Sequence, residues 1–433
     1  MEPRADQHAR AAAETVARRS YGKLVAFLAA RVGDVAAAED ALSDAFAAAL
    51  ANWPARGIPE NPAAWLVAVA RRKAVDQARR RRSRTAAAAH MKLMAEELSA
   101  TAAEQTDIPD KRLCLMFACA HPAIDPSVRA PLMLQTVLGF DAATIASAFL
   151  VSPAAMGQRL VRAKTKIREA AIPFRIPARD DLAERLGAVL EAIYAAFAEG
   201  WSDPAGTENR RRNLAEEGIW LGRLVVSLLP GEPEALGLLA LMLHAEARRT
   251  ARRNGEGNYV PLAAQDPATW DTALIEEAEA LLLRASQISV AGRYQLEAAV
   301  QSVHAARRVA GRTDWAAIVR IYDALLTMTA SPVVAINRAI AIAQTAGAAA
   351  GLAALDELSG LPRLADYQPY WAARAGLLAQ ADQIEAADEA YRRAIGLESD
   401  PAVRRFLQER RTELQEGEVR SCIGRRSPKA SSR

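Results

Sequence analysis

Five basic side chains and no acidic one lie between Met156 and Arg168: Arg159, Arg162, Lys164, Lys166 and Arg168. Cationic groups at helical spacing can neutralise nucleic-acid phosphates, and the leading turn of such a helix can reach base edges in a groove. The spacing also predicts the helix itself. Ser152 stands where an N-cap belongs, with Pro153 at the first helical position after a break around Val151. At about 100° per residue, Met156, Leu160, Ala163 and Ile167 fall in one arc, suited to packing on a preceding helix. Arg159, Arg162 and Lys166 fall in another. The segment 144–168, TIASAFLVSPAAMGQRLVRAKTKIR, therefore reads as a helix-turn-helix whose second helix turns its leading residues and its basic arc toward DNA. A solvated basic face on an ordinary core helix would carry the same charge run.

A second concentration of cations follows Asn61 and Pro62, which open a helix reading AAWLVAVARRKAVDQARRRRSR. From Arg71 to Arg84 it holds eight basic residues against Asp76 alone, directly after the apolar Trp65, Leu66 and Val69. A helix that begins in a core and ends as a polycation suits tracking of a nucleic-acid backbone. A nuclear-localisation or RNA-binding arm has a similar composition. Ahead of it, Pro54, Gly57, Pro59 and Pro62 predict a loop. Further upstream Asp34 is placed to cap a helix on which Leu42, Ala45, Phe46 and Ala49 share one arc and Glu39, Asp40, Ser43 and Asp44 another. An acidic face inside a basic segment suits a protein contact, and equally a solvated surface.

The elements that must position these residues are helices throughout. In 433 residues hydrophobic types make up 51%, alanine is abundant, and alternating Val/Ile/Thr runs are scarce, which predicts an all-α chain of two or three domains. Residues 1–175 carry 25 basic and 17 acidic side chains, whereas 176–415 carry 25 and 32. A part that attracts nucleic acid is thus joined to one that repels it. No apolar run reaches the roughly 18 residues of a membrane span, no signal peptide opens the chain, and the three cysteines are too few for a disulfide framework, so a cytoplasmic protein is expected. Cys114, Cys119 and His121 lack a second ligand pair, so no metal site is expected, and no phosphate loop or hydrolase motif gives catalysis a foothold. The expectation is a protein that is not an enzyme and needs no cofactor.

From about 180 the chain reads as helical hairpins. Tyr322 and Pro332, Leu352 and Pro362, and Tyr391 and Pro401 repeat a ten-residue interval at offsets of 30 and 39, which straddle the roughly 34 residues of a tetratricopeptide repeat. Trp371, Ala387, Tyr391 and Ala394 stand at that repeat's spacing. His244, Glu246, Arg248 and Arg249, with Asp266 and Trp270, either line a pocket on the concave side or are satisfied structural groups.

In order and spacing, AEDALSDAF, AWLVAVARRKAVDQARR and the 144–168 segment resemble the two conserved domains of extracytoplasmic-function sigma factors of bacterial RNA polymerase. FACAHPAI, MGQRLVRAKTKIR and the long C-terminal extension resemble the subgroup with a tetratricopeptide-like C-terminal domain, up to about Leu414. The resemblance implies sigma domain 2 at 10–84, a linker at 85–107, sigma domain 4 at 108–172, a helical tetratricopeptide-like domain at 180–414, and a disordered basic tail at 415–433. It assigns Glu39, Asp40, Asp44 and Phe46 to docking on core RNA polymerase. The loop from Trp53 to Asn61 would hold a flipped base of the promoter's -10 element, and Trp65, Arg71, Arg72, Lys73, Asp76, Arg79 and Arg80 would line or support that strand. Ser152, Ala154, Ala155, Gln158, Arg159, Arg162 and Lys166 would read the -35 element. Three positions depart from the family pattern: Arg72 stands where asparagine is frequent, Ala120 replaces a cysteine, and Ala198 replaces an asparagine. The function implied is promoter-specific transcription initiation, with the C-terminal domain regulating or supporting it, in part through intramolecular contact. A helix-turn-helix regulator with a ligand- or protein-sensing repeat domain is the alternative, and it predicts duplex binding without polymerase.

Overall fold

The computed structural model describes residues 2–82, 108–149, 151–201, 209–288 and 291–425. Among them every regular element is helical, apart from one isolated bridge between Arg253 and Tyr259. The chain divides into two compact units, Met1–Leu221 and Gly222–Arg433.

The first unit is organised around a helix whose C-terminal half has no solvent side. In α1 (Glu2–Val32) the residues from Leu24 to Ala29 are buried in succession, which requires cover from every direction. Helices α2 (Val35–Arg56) and α3 (Pro62–Arg82) pack on α1 from within its own three-helix module. Helices α4 (Arg112–Cys119) and α5 (Pro126–Leu138) cover the rest, so the N-terminal module and the helix-turn-helix module share one core. The helix-turn-helix itself is α6 (Ala142–Ala148) and α7 (Pro153–Glu169), and α8 (Arg179–Trp201) packs on α4 and α5.

Capping residues set the starts of these helices. Asp34 Oδ1 accepts from the Ala37 amide (3.2 Å), Asn61 Oδ1 from Ala64 (3.0 Å), Asp141 Oδ1 from Thr144 (2.8 Å), and Ser152 Oγ from Ala155 (3.2 Å). Each satisfies one of the amides left free in a first helical turn. Gly139 ends α5 in the left-handed region at φ 78°.

The structure differs from the sequence reading at three places. The loop expected from Trp53 onward starts later, because α2 continues through Pro54 to Arg56. In the last turn a proline removes only the donor for the Leu50 carbonyl, on an exposed side of the helix, while Trp53 is buried and holds the turn in place. Helix α8, which the sequence reading places in the C-terminal domain from 180, packs on α4 and α5 within the first unit, with Leu186, Val189, Leu190 and Ile193 buried. The tail expected from 415 remains helical to Arg425, anchored where Gln415 Nε2 donates to Asp388 Oδ1 at 2.9 Å. The linker at 85–107 and residues 426–433 lie outside the described residues.

The second unit opens with the end of α9 (Asn209–Leu228) and centres on α10 (Pro233–Ala247), buried at every position from Ala235 to His244. Helices α11 (Thr272–Ser286) and α12 (Arg293–Ala305) pack on α10. After the single turn α13 (Arg307–Ala310), α14 (Trp315–Thr329), α15 (Pro332–Ala346), α16 (Ala348–Asp356), α17 (Gln368–Gln380), α18 (Ile384–Leu397) and α19 (Pro401–Arg425) each pack on the helix before them from α15 onward. Pro332, Pro362 and Pro401 each open a helical element, where a missing amide costs nothing. Tyr391, Ala387 and Ala394 join Ala375 in one core between α17 and α18.

Two histidines make this unit sensitive to acid. His244 is 4% exposed on α10, and His304 on α12 lies edge-on to Trp315 with ring centroids 5.5 Å apart. Burial, with Arg248 nearby, pushes both imidazoles down to about 4. His244 Nε2 stands 3.4 Å from Glu279 Oε1, yet with so low a pKa the ring is neutral near pH 7 and the contact is no ion pair. The unfolded chain takes up these protons near pH 6.5 and the folded chain only near 4, so stability present above 6.5 is lost as pH falls through that window. By pH 5 the loss is expected to be about 2 kcal/mol per imidazole. Urea midpoints of the full chain between pH 7 and 5 should show this slope, and His244→Gln with His304→Gln should flatten it.

Candidate nucleic-acid interface

Helix α7 sorts its five cations onto two sides. Met156, Leu160, Ala163 and Ile167 are buried against α5 and α6, as the arc predicts. Ala154, Gln158, Arg162 and Lys166 are exposed, with Arg159 and Ala155 half-buried beside them and Ser152 exposed at the cap. Arg159, Arg162 and Lys166 line an open cleft of about 370 Å³ together with the start of α5, including Asp125 and Ser127. Asp125 is held below the usual carboxylate range by hydrogen bonds from Ser127, with Arg159 adding to the effect. This side offers three cations and a polar leading turn to a polyanion.

The other two cations point at α2. Lys164 Nζ lies 2.5 Å from Glu39 Oε2, with the two side chains only 11% and 13% exposed. Arg168 Nη1 lies 3.5 Å from Asp34 Oδ2. Burial pushes the Glu39 carboxyl up while Lys164 opposes it, and Tyr21 is raised by its own burial and by Glu39. Glu39 Oε1 is buried with no hydrogen-bond partner. The four residues that the resemblance assigns to the docking helix are therefore divided. Asp40 and Asp44 are exposed, Glu39 turns inward to α7, and Phe46 lines a cleft against Arg10, Ala13 and Glu14 of α1.

On α3 the residues that track a strand separate by depth. Trp65 is half-buried and meets the buried Trp53 edge to face, with centroids 5.5 Å apart at 63°. Two turns on, Arg72 and Lys73 are exposed. Arg71 is half-buried, and burial together with Arg31 holds its pKa below the ordinary guanidinium value. Arg31 itself stacks 4.2 Å over the Phe27 ring. Asp76, Arg79 and Arg80 lie on α3, and their side chains are outside the described residues. The loop at 57–61 joins the two helices with Gly57 at φ 85° and Ile58 exposed.

Residues 16–84 match the family described as Sigma-70 region 2. Residues 185–286 match a family of unknown function (DUF6596). An uncharacterized protein of Rhizobium meliloti (strain 1021) is 39% identical over 375 residues, 86% of this chain and 88% of that protein. This chain belongs to the Rhizobium protein's family, and it opens with a sigma-70 region 2 domain. No solved structure matches. A region 2 domain implies contact with core RNA polymerase and with promoter DNA, and it contains α2, the loop and α3.

Other candidates have partners within the chain, and Asp266 also lines an open cleft with Arg307. Glu246 holds Arg249 at 2.7 Å, Asp266 caps the turn that starts at Pro267, and Trp270 is buried beneath Arg307, 5.4 Å from the ring centroid. Arg307 also donates to the carbonyls of Leu262 and Gln265. Cys119 Sγ lies 3.4 Å from Thr136 Oγ1, and burial raises its thiol to about 12. No helix among the described residues is long and apolar enough to cross a membrane. The residues that sequence reasoning missed are Tyr21, Gly22, Lys164 and Arg168, which join region 2 to the helix-turn-helix. Lys164 and Arg168 are spaced four apart, as Asp34 and Glu39 are by five, but nothing in either stretch announces the other.

Proposed function

We propose that this chain is an alternative sigma factor of the extracytoplasmic-function type, which joins core RNA polymerase and directs initiation at particular promoters. The observation that carries this reading is the order of two modules in one core: a region 2 domain, then a capped helix-turn-helix with Arg159, Arg162 and Lys166 open on its outer side. Asp40 and Asp44 on α2 would meet the polymerase, Trp65, Arg72 and Lys73 would follow the separated -10 strand, and α7 would enter the -35 major groove. The chain's role in this reading is non-catalytic and needs no cofactor. The helix pairs of the second unit would form a tetratricopeptide-like domain that regulates or supports initiation through contact with the sigma modules or the polymerase.

Run-off transcription with core polymerase tests the reading. The template is the DNA upstream of the chain's own coding sequence, with the Arg72→Ala, Lys73→Ala double variant as control. Transcripts that require the chain and fall sharply in the double variant support it. Duplex binding by the chain alone, with no transcript from any such template, would favour a helix-turn-helix regulator instead.

A further inference from the structure

Val161, in the middle of α7, is 62% exposed, more than any other large apolar side chain among the described residues of the first unit. It lies on the side of the helix opposite the buried Met156, Leu160, Ala163 and Ile167, beside the exposed Ala154 and Gln158. Packing does not account for it. A β-branched residue on an exposed helix side loses rotamer freedom and gains no burial. Gly157, one turn before Val161, is equally unexplained from within the chain: a Cβ built there meets no atom within 4 Å, and its φ is not positive. Glycine weakens a helix interior, and what it offers in return is close approach to its backbone. The surroundings are cationic. Arg162 is exposed next to Val161, and with Arg159 and Lys166 it lines the adjoining cleft. An apolar side chain bordered by cations on one helix fits a DNA major groove, where phosphates flank the base edges. Among those edges only thymine presents an apolar group, its C5 methyl.

From this placement we infer that Val161 is a specificity-determining residue: it reads one thymine of the -35 element by closing over its methyl group, and Gly157 lets the helix backbone sit close enough for that contact. The inference rests on the sigma-factor reading and names part of the sequence that α7 recognises. Gln158 lies one turn earlier on the same exposed side, within reach of a neighbouring base pair. Its amide can bond an adenine edge, so the two side chains divide the readout into a polar and an apolar half.

The test uses the full chain bound to core polymerase, on duplexes from upstream of its own coding sequence in which each thymine of the -35 region is replaced in turn by deoxyuridine. That exchange removes one methyl group and leaves every hydrogen bond and phosphate in place. The unsubstituted chain is expected to lose affinity about fourfold at one such thymine, the value of one buried methyl group. Val161→Ala should bring that ratio near one without changing the salt slope, whereas Arg162→Ala should keep the ratio. Gly157→Ala should raise the melting temperature of the free chain and yet weaken promoter binding, a pair of effects that a purely structural role would not give. A ratio near one at every thymine, or an unchanged ratio in Val161→Ala, overturns the inference and leaves the sigma-factor reading intact. Weaker binding of Val161→Ala to core polymerase without DNA also overturns it, since that side of α7 would then belong to the polymerase. Failure of the unsubstituted chain to bind core polymerase overturns the sigma-factor reading itself, and the inference with it.

Discussion

Gly22→Ala is expected to cost the first unit about 3 kcal/mol and to part region 2 from the helix-turn-helix without altering a single charge. The methyl group would sit 1.8 Å from the Val137 carbonyl oxygen and 2.7 Å from its carbon, where ordinary contact needs well over 3 Å. Both obstructing atoms are backbone, so no rotamer change relieves the overlap. Either α1 or α5 must withdraw by more than an ångström. That movement opens the covering over Leu24 to Ala29, which is buried only because α4 and α5 complete it. Calorimetry of the full chain should show the transition of the first unit displaced downward while the second unit's stays in place. An unmoved transition would mean that the two helices do not cross at this glycine.

Local events were legible in the chain, and long-range pairings were not. Asp34, Asn61, Asp141 and Ser152 each cap the helix that the sequence predicts, because capping is decided by a side chain and an amide three residues apart. The buried arc of α7 follows from its period in the same way. Pro54 misled because the one carbonyl it leaves without a donor lies on an exposed side of the helix, and only the burial of Trp53 shows that the helix is still needed there. The pairing of Lys164 with Glu39 spans 125 residues and depends on how α1 and α5 cross, which no local pattern encodes. Its consequence is that the four residues the resemblance assigns to docking are split three ways in space. The packing of α8 was illegible for a similar reason. The apolar stripe of α8 demands a partner, but its sequence does not say whether the partner is the helix-turn-helix or the next hairpin.

The five cations of α7 are equivalent in the sequence and unequal in the fold, which predicts two distinct phenotypes from one helix. Arg162→Ala with Lys166→Ala should weaken binding to duplex promoter DNA at all sequences and reduce the slope of log affinity against log salt by about 1.8, because each phosphate contact contributes about 0.9 on B-form DNA. Both side chains are exposed and turned to the open cleft, so their removal disturbs no core packing and folding should be unaffected. Gln158→Ala, in the leading turn, should instead act on sequence preference, at about 1–3 kcal/mol for a specific base pair, and leave the salt slope alone. Lys164→Met should change neither quantity, since its ammonium is committed to Glu39 and only 11% exposed. Titrations of the full chain bound to core polymerase on promoter duplexes across a range of salt concentrations separate these cases. An equal loss of slope from Lys164→Met and from Lys166→Met would show that the inner cation also reaches phosphate, and that the helix meets DNA by a face other than the open one.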